Sequence, residues 1–204
     1  MIFDKYIKKW KEKKLFDKIS DILFVILLVA LLIPGSRTAI IVSVKRVIAF
    51  SPGSIDPADR VTVLKDDFFW ELEDLEGNKT NVADFRGKTI FINEWATWCP
   101  PCIAEMPSLQ KLYDQLKDDK DIVFLLITNE KEDVVRKFIN DYEYSFPVML
   151  ARSNTPESFY SPSIPATFLV SPAGEIVLEE VGSKKWHGEK TVNLIRSLGE
   201  SVGR

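Results

Sequence analysis

The only two cysteines of the chain, Cys99 and Cys102, are separated by two prolines in the segment Trp98-Cys99-Pro100-Pro101-Cys102. The apolar segment 89–95 before them predicts a buried strand, and the apolar spacing after them predicts a helix over 104–117. The first turn of a helix offers unpaired backbone N–H groups and partial positive charge, which stabilise a thiolate and make it a usable nucleophile. The second sulfur can then attack a mixed disulfide formed by the first. The spacing therefore indicates thiol–disulfide exchange.

Other uses of a cysteine pair fit the sequence less well. A structural disulfide across so short a loop adds little stability, and a zinc site needs about four ligands, whereas His187 is the only histidine. Attachment of a c-type haem requires a histidine where Ile103 stands. A copper-binding or metal-assembly protein that uses Cys99, Cys102 and Met106 as soft ligands stays an alternative, but no metal site is predicted. A thiol peroxidase is disfavoured because it does not need the pair.

The prolines between the cysteines bear on the direction of the reaction. If Cys99 is the N-cap residue, Pro100 and Pro101 occupy the first two helical positions, where proline is tolerated. An N-cap acceptor normally receives N–H groups from the second or third position, and Pro101 has none. The Cys99 sulfur then keeps at most the Cys102 N–H donor. A less stabilised thiolate means a lower reduction potential, which predicts a reductant.

The elements that must position this pair follow an alternating pattern. Besides the segments already named, the chain predicts strands over 68–75, 122–128, 147–151, 167–171 and 175–181, and helices over 134–142 and 192–198. Turns are predicted at Glu76–Lys79 and Pro172–Gly174. This order predicts an α/β fold, a mixed central sheet flanked by helices on both faces.

Charge divides the chain into unlike parts. Residues 1–50 carry a net charge of +6 and residues 51–204 a net charge of −9, giving the −3 of the whole chain. An acidic domain argues against nucleic acid as a partner. The uninterrupted apolar run Ile22–Ile33 follows a lysine-rich segment, which predicts a single transmembrane helix with the remainder outside the cytoplasm. The run is shorter than the ~20 residues of a spanning helix, and a cleaved signal peptide or an interfacial or buried helix are the alternatives.

These features predict three regions. Residues 1–50 would form a basic cytoplasmic arm, the membrane anchor and a juxtamembrane segment. A second apolar patch, 38–50, is interrupted by Lys45 and Arg46 and is a poor second span. Residues 51–60, with two prolines and a glycine, read as a linker, and residues 61–204 would form the folded domain.

Two segments carry a resemblance to a known family. The stretch Gly87–Pro107, with Ala-Thr before its Trp-Cys-x-x-Cys core, and the later segment Ser163–Val170, followed by Gly174, resemble the TlpA/ResA family of membrane-anchored thioredoxin-like thiol–disulfide oxidoreductases. The resemblance covers roughly residues 65–200 and implies a thioredoxin-like fold. It also implies a single-pass protein of the bacterial inner membrane whose domain faces the periplasm or outside.

The resemblance to the TlpA/ResA family also implies an activity and partners for this chain. Members of the family reduce disulfides of extracytoplasmic proteins, with apocytochrome c in cytochrome c maturation as the best-known substrate, and a membrane thiol electron donor recharges them. A general envelope thiol reductant is the alternative within this activity. No cofactor is implied beyond the redox-active disulfide of Cys99 and Cys102.

Residue roles follow from the matching motifs. The family's exposed nucleophile falls on Cys99 and its resolving cysteine on Cys102. The family's cis-proline falls on Pro165, where it would lie against the sulfurs and expose the Ile164 backbone to an extended substrate. Trp98, beside the nucleophile, is expected to contact substrate together with Ile164.

The polar residues around the pair differ from those of cytoplasmic thioredoxins. Asn93 occupies the position of their buried aspartate and cannot titrate. The TlpA/ResA glutamate falls on Glu105, which would take or supply the Cys102 proton, although a helix N-terminal acid favoured by the dipole is an alternative. Glu94 departs from the family's usual aromatic residue and is expected either at a sheet edge or buried with a raised pKa. His187 is expected to be solvated or to cap the last helix.

Overall fold

The N-terminal helix is the described part of the first of two units. The computed structural model describes residues 14–32, 41–44, 51–53, 56 and 60–200, and its contacts divide the chain into Met1–Ile41 and Val42–Arg204. Helix α1 covers Leu15–Leu32, with Asp17, Lys18 and Asp21 in its first two turns. Among the described residues, no helix is both long enough and apolar enough to cross a membrane. Ile33 of the predicted apolar run and most of the patch 38–50 lie outside the described residues.

The second unit is built on one mixed sheet of eight strands. The strands are β1 (Val61–Thr62), β2 (Glu71–Asp74), β3 (Lys79–Asn81), β4 (Thr89–Glu94), β5 (Ile122–Thr128), β6 (Val148–Ala151), β7 (Ala166–Val170) and β8 (Glu175–Val181). Their order is β1-β8-β7-β4-β5-β6-β2-β3. The pairs β4–β5 and β5–β6 are parallel and the others are antiparallel. After β1, the described α-helices of this unit are α2 (Pro100–Leu116), α3 (Glu132–Asp141) and α4 (Glu189–Glu200). The predicted α/β class with a mixed sheet is confirmed.

The sequence predicted helices on both faces of the sheet, but the described helices α2, α3 and α4 lie on one face. Buried residues of α2, α3 and α4, among them Leu109, Val135 and Ile195, belong to one core cluster on one face of the sheet. Both parallel crossovers, β4-α2-β5 and β5-α3-β6, step across the sheet in the same direction, and right-handed connections then place α2 and α3 on the same face. The opposite face is covered by the 3₁₀ segments 65–68, 82–85 and 157–159.

Strand β4 is the central element for the site because its residues alternate between the two faces. Phe91 belongs to the cluster on the helical face, whereas Ile90 and Ile92 belong to the opposite cluster. On that opposite face, Trp70 stacks on Phe159 with 5.8 Å between ring centroids. Two apolar layers therefore fix the position and direction of β4, and with them the loop that follows it.

Several element boundaries differ from the prediction. The strand predicted over 68–75 begins only at Glu71 because Lys65–Phe68 forms a 3₁₀ helix, and the short strands β1 and β3 were not predicted. Helix α2 begins at Pro100 and not at residue 104, since proline fits the first helical turn. The turn before β8 is as predicted: Gly174 has φ +82°, and its N–H donates to the Ser171 carbonyl at 2.8 Å.

Candidate active site

The loop from β4 to α2 is fixed by a carboxylate from the next strand–helix connection. Thr97 donates its backbone N–H to Oε2 of Glu130 at 2.6 Å and its hydroxyl to Oε1 at 2.7 Å. Glu130 follows β5, and parallel neighbours end at the same edge of a sheet, so Glu130 lies beside the loop that follows β4. Glu130 was not predicted as part of the site, although its position two residues after the predicted strand 122–128 was an available signal.

Cys99 is the N-cap of α2, as predicted. Its backbone is extended, with φ −90° and ψ 105°, and Pro100 and Pro101 occupy the first two helical positions. Its Sγ accepts the backbone N–H of Cys102 at 3.3 Å. The sulfur therefore has the third-position donor, and the second position, a proline, supplies none.

Cys99 and Cys102 are joined in a disulfide, with Cα atoms 5.2 Å apart. Cys99 is 3% exposed and Cys102 is fully buried, while the neighbouring Trp98 is 70% exposed. The expectation of an exposed Cys99 is therefore wrong for the disulfide form. The Cys99 sulfur is bonded to Cys102 on one side and lies 3.7 Å from the Ile164 carbonyl oxygen, so only a small part of the residue reaches solvent.

The segment before β7 faces the disulfide. The Ile164–Pro165 peptide bond is cis, as the resemblance implied. The Pro165 carbonyl accepts the Gly182 N–H at 2.8 Å, and the next residue, Ala166, pairs with Glu94 across the antiparallel β7–β4 ladder. This pairing holds Ile164 beside the Cys99 sulfur.

Glu105 is a buried carboxyl group one helical turn after Cys102, and it is 1% exposed. Its Oε1 accepts Asn93 Nδ2 at 3.0 Å, and its Oε2 accepts Trp186 Nε1 at 3.0 Å and the Lys184 N–H at 3.1 Å. Burial raises the pKa of this carboxyl to about 7, although the donated hydrogen bonds act in the opposite direction. A group with such a pKa can take or release a proton near neutral pH.

The residues that hold Glu105 were not recognised in the sequence. Asn93, noted only as unable to titrate, donates a second hydrogen bond to Thr167 Oγ1 at 2.8 Å and is thereby oriented toward Glu105. Ser108 accepts the Trp186 N–H at 2.6 Å and lies 2.9 Å from Nδ1 of His187. His187 is therefore hydrogen-bonded to α2 instead of being simply solvated. These contacts join segments about 80 residues apart, so no local pattern could reveal them.

Glu94, the last residue of β4, is half-buried. Its Oε2 accepts the Thr155 hydroxyl at 3.3 Å, and its Oε1 is buried without a hydrogen-bond partner among the described residues. Burial raises the pKa of this carboxyl to about 7, and the Thr155 hydrogen bond partly offsets the effect. Of the two expectations for this residue, burial with a raised pKa is confirmed.

Metal ligands do not gather around the pair in the part of the chain that the structure describes. No group of three or more His, Cys, Asp or Glu residues there could hold a metal ion. Met106, the third ligand of the copper alternative, is fully buried and belongs to the core cluster with Leu109 and Leu112.

The fold and the site together define a thioredoxin-like protein with a disulfide at the N-terminus of a helix and a cis-proline beside it. The model of the AhpC/TSA family matches residues 66–178, more than half of the sequence. The chain therefore belongs to the AhpC/TSA family.

Two relatives with similar sequences are named as redox or thioredoxin-like proteins. The thiol–disulfide oxidoreductase ResA of Halalkalibacterium halodurans is 37% identical over 112 residues, which cover 54% of this chain and 64% of that protein. The thioredoxin-like protein YneN of Bacillus subtilis is 32% identical over 116 residues, covering 56% and 68% respectively. The match thus spans slightly less than two thirds of the H. halodurans relative.

A solved structure agrees with this fold. The thioredoxin domain of a thiol–disulfide oxidoreductase from Bacteroides vulgatus is 25% identical, with a TM-score of 0.52. The alignment covers 73% of this chain and 98% of that domain. The resemblance to ResA-type proteins noted in the sequence is confirmed by these relatives.

Proposed function

We propose that this chain is a thiol–disulfide oxidoreductase that reduces protein disulfides outside the cytoplasm through Cys99 and Cys102. The observation that carries the proposal is the disulfide itself: its first sulfur caps α2, accepts the Cys102 N–H and lies 3.7 Å from the carbonyl of Ile164. A reacting sulfur beside the partly exposed Ile164 suits attack on a cysteine in a substrate chain that passes this residue. The names of the ResA relatives support the same activity.

The reaction begins with both cysteines reduced. The Cys99 thiolate attacks one sulfur of the substrate disulfide, forming a mixed disulfide and releasing the other substrate sulfur as a thiolate, which takes a proton. The Cys102 thiolate then attacks Cys99 Sγ, which forms the Cys99–Cys102 bond and releases the second substrate sulfur. Two electrons pass to the substrate, and the protein is left in the disulfide form.

Glu105 is proposed to take the proton of Cys102 before the second step and to return it when the pair is reduced again. Glu105 follows Cys102 by three residues on α2, so the two side chains share a face of the helix. Its raised pKa, about 7, matches a group that gains and loses a proton at neutral pH.

The cellular setting is proposed from the sequence and the relatives. The lysine-rich N-terminal segment and the apolar run after it favour attachment to the bacterial inner membrane, with the domain in the periplasm or outside. Protein disulfides there would be the substrates, with those of apocytochromes c as candidates, and a membrane thiol protein would be the electron donor. No cofactor beyond the cysteine pair is needed for this chemistry.

The reduction potential of the full-length protein, equilibrated in glutathione or dithiothreitol buffers, tests the proposal. A value near or below roughly −270 mV, that of thioredoxin, supports a reductase, whereas a value above about −150 mV would make the protein an oxidant. The Cys102→Ser variant should trap substrates as mixed disulfides on Cys99, while Cys99→Ser should trap none. Equal trapping by both variants would contradict the assignment of Cys99 as the nucleophile.

A further inference from the structure

A small cavity lies beside the cysteine pair on the face of the sheet opposite the α-helices. Its volume is about 130 Å³, and Glu94, Trp98 and Ile164 are among its lining residues. Glu94 is the last residue of β4, and Trp98 directly precedes Cys99. The cavity is therefore bounded by the loop that leads to the disulfide. The proposed chemistry uses none of the cavity's polar groups.

Glu94 is the one ionisable side chain among the described residues that line this cavity, and it is incompletely partnered. Its Oε2 has the Thr155 hydroxyl, but its Oε1 is buried and accepts no hydrogen bond from the described residues. A buried carboxylate oxygen without a donor is costly. Among the described residues that line the cavity, none is a lysine or an arginine. A donor, and above all a positively charged one, is therefore the group that the cavity lacks.

The cavity is placed where a bound substrate chain would pass. Ile164 contributes to its wall, and the Ile164 carbonyl oxygen lies 3.7 Å from Cys99 Sγ. A substrate whose sulfur is bonded to Cys99 must bring its neighbouring residues past Ile164 and the exposed ring of Trp98. A long side chain from one of those neighbours can reach Glu94.

We propose that this cavity is a specificity subsite that binds a lysine or arginine side chain next to the reacting cysteine of the substrate protein. The proposal rests on the proposed function, since it concerns how a disulfide substrate is chosen. The Glu94 carboxylate accepts hydrogen bonds from the cation, and Trp98 offers an exposed aromatic face along its path.

The net charge of the domain and the side chains at the cavity both favour a cation. Residues 51–204 carry a net charge of −9, which attracts basic segments of a partner. A carboxylate and an aromatic ring are the two groups that bind guanidinium and ammonium ions best in proteins. Trp70, whose Nε1–H has no hydrogen-bond partner among the described residues, is also among the lining residues. The cavity has room for a water molecule beside the cation, because one water needs only roughly 10–15 Å³ of such volume.

The test uses peptides in which one cysteine forms a mixed disulfide with 5-thio-2-nitrobenzoate. Attack by Cys99 on the peptide sulfur releases the coloured thiolate, and Cys102 then releases the peptide thiol. Arginine is moved through the two positions on each side of the cysteine, and each peptide is paired with one carrying citrulline, its neutral isostere. The kcat/KM ratio of arginine to citrulline is measured for the reduced full-length wild type, for Glu94→Gln and for Glu179→Gln, an exposed residue outside the cavity lining.

The expected result is a preference for arginine of about tenfold at one or two positions in the wild type and in Glu179→Gln, since charge-assisted hydrogen bonds are of this strength. In Glu94→Gln the ratio should fall to within about twofold of one. A ratio that survives unchanged in Glu94→Gln, or a wild type that prefers citrulline, would overturn the subsite. A wild type that reduces every peptide equally refutes the subsite alone, whereas one that reduces none refutes the proposed function.

Discussion

Replacement of Pro101 by alanine should raise the reduction potential of the cysteine pair. Pro101 is the second residue of α2 and has no N–H to donate, while the third residue, Cys102, already donates to Cys99 Sγ at 3.3 Å. Alanine at this position supplies an N–H at the second helical position, one of the two positions from which an N-cap acceptor receives hydrogen bonds. The new hydrogen bond favours the Cys99 thiolate over the disulfide sulfur, because hydrogen bonds to charged acceptors are the stronger ones.

The size of the effect follows from the strength of one such bond. A hydrogen bond to a charged group contributes about 1.5–3 kcal/mol, and for a two-electron couple 30 mV corresponds to about 1.4 kcal/mol. The potential of Pro101→Ala should therefore rise by about 30–65 mV. Replacement of Pro100, at the first helical position, supplies an N–H that an N-cap side chain does not normally receive. Pro100→Ala is therefore the matched control and should shift the potential much less.

The assay equilibrates each full-length variant against a series of glutathione buffers at a pH above the Cys99 thiol pKa of each protein. The fraction of disulfide is then read after acid quenching and thiol alkylation. A wild-type or lower potential in Pro101→Ala would show that the missing N–H at position 101 does not set the potential. An equally large shift in Pro100→Ala would also contradict this explanation, since the change would then reflect the helix turn as a whole.

Three further replacements test the side chains around the pair. Because burial raises the pKa of Glu105 to about 7, this carboxyl stabilises the fold fully below about pH 4.5 and loses that contribution as pH rises through 7. The difference in unfolding free energy between the wild type and Glu105→Gln should therefore change by on the order of 3 kcal/mol between pH 4.5 and 8, measured by guanidinium unfolding. Glu130→Gln should lower the unfolding free energy by about 1–2 kcal/mol, because its amide group opposes one of the two donors of Thr97. Phe159→Ala should cost about 3–5 kcal/mol in denaturant unfolding, since Phe159 is fully buried against Trp70.

Each of these three predictions can be contradicted by a specific result. A Glu105→Gln difference that is constant between pH 4.5 and 8 would mean that the carboxyl does not titrate in this range. Glu179→Gln, an exposed change of the same type, is the control for Glu130→Gln, and equal effects would exclude a special role for the Thr97 contacts. A loss below about 1 kcal/mol for Phe159→Ala would show that the second core cluster collapses around the gap.

The parts of the structure that the sequence predicted well are those set by local patterns. The apolar runs of β4 and β5 identify buried central strands. The N-cap position of Cys99 could be predicted because it depends only on the residues next to it, above all the two prolines. The cis bond before Pro165 is different, since it came from the resemblance to a family and not from any local property.

The parts that were missed depend on contacts between distant segments. Glu130 reaches Thr97 across 33 residues, and Trp186 reaches Glu105 across 81. The burial of Cys99 was also missed, because part of its surroundings is Ile164, a residue 65 positions later in the chain. The helices were expected on both faces because the order of the strands, which places both crossovers on one side, cannot be read from periodicity.

Strand β4 separates the roles proposed for Glu94 and Glu105, the two carboxyl groups near the cysteine pair whose pKa values are raised. Its neighbouring residues Asn93 and Glu94 project to opposite faces of the sheet. On the helical face, Asn93 donates to Glu105, which lies one turn after Cys102. On the other face, Glu94 lines the cavity beside Ile164. In the roles proposed above, the proton of Cys102 is therefore handled on one side of β4 and the substrate side chain is bound on the other. Because Asn93 and Glu94 are neighbours in β4, the two groups keep fixed positions relative to the loop that ends at Cys99.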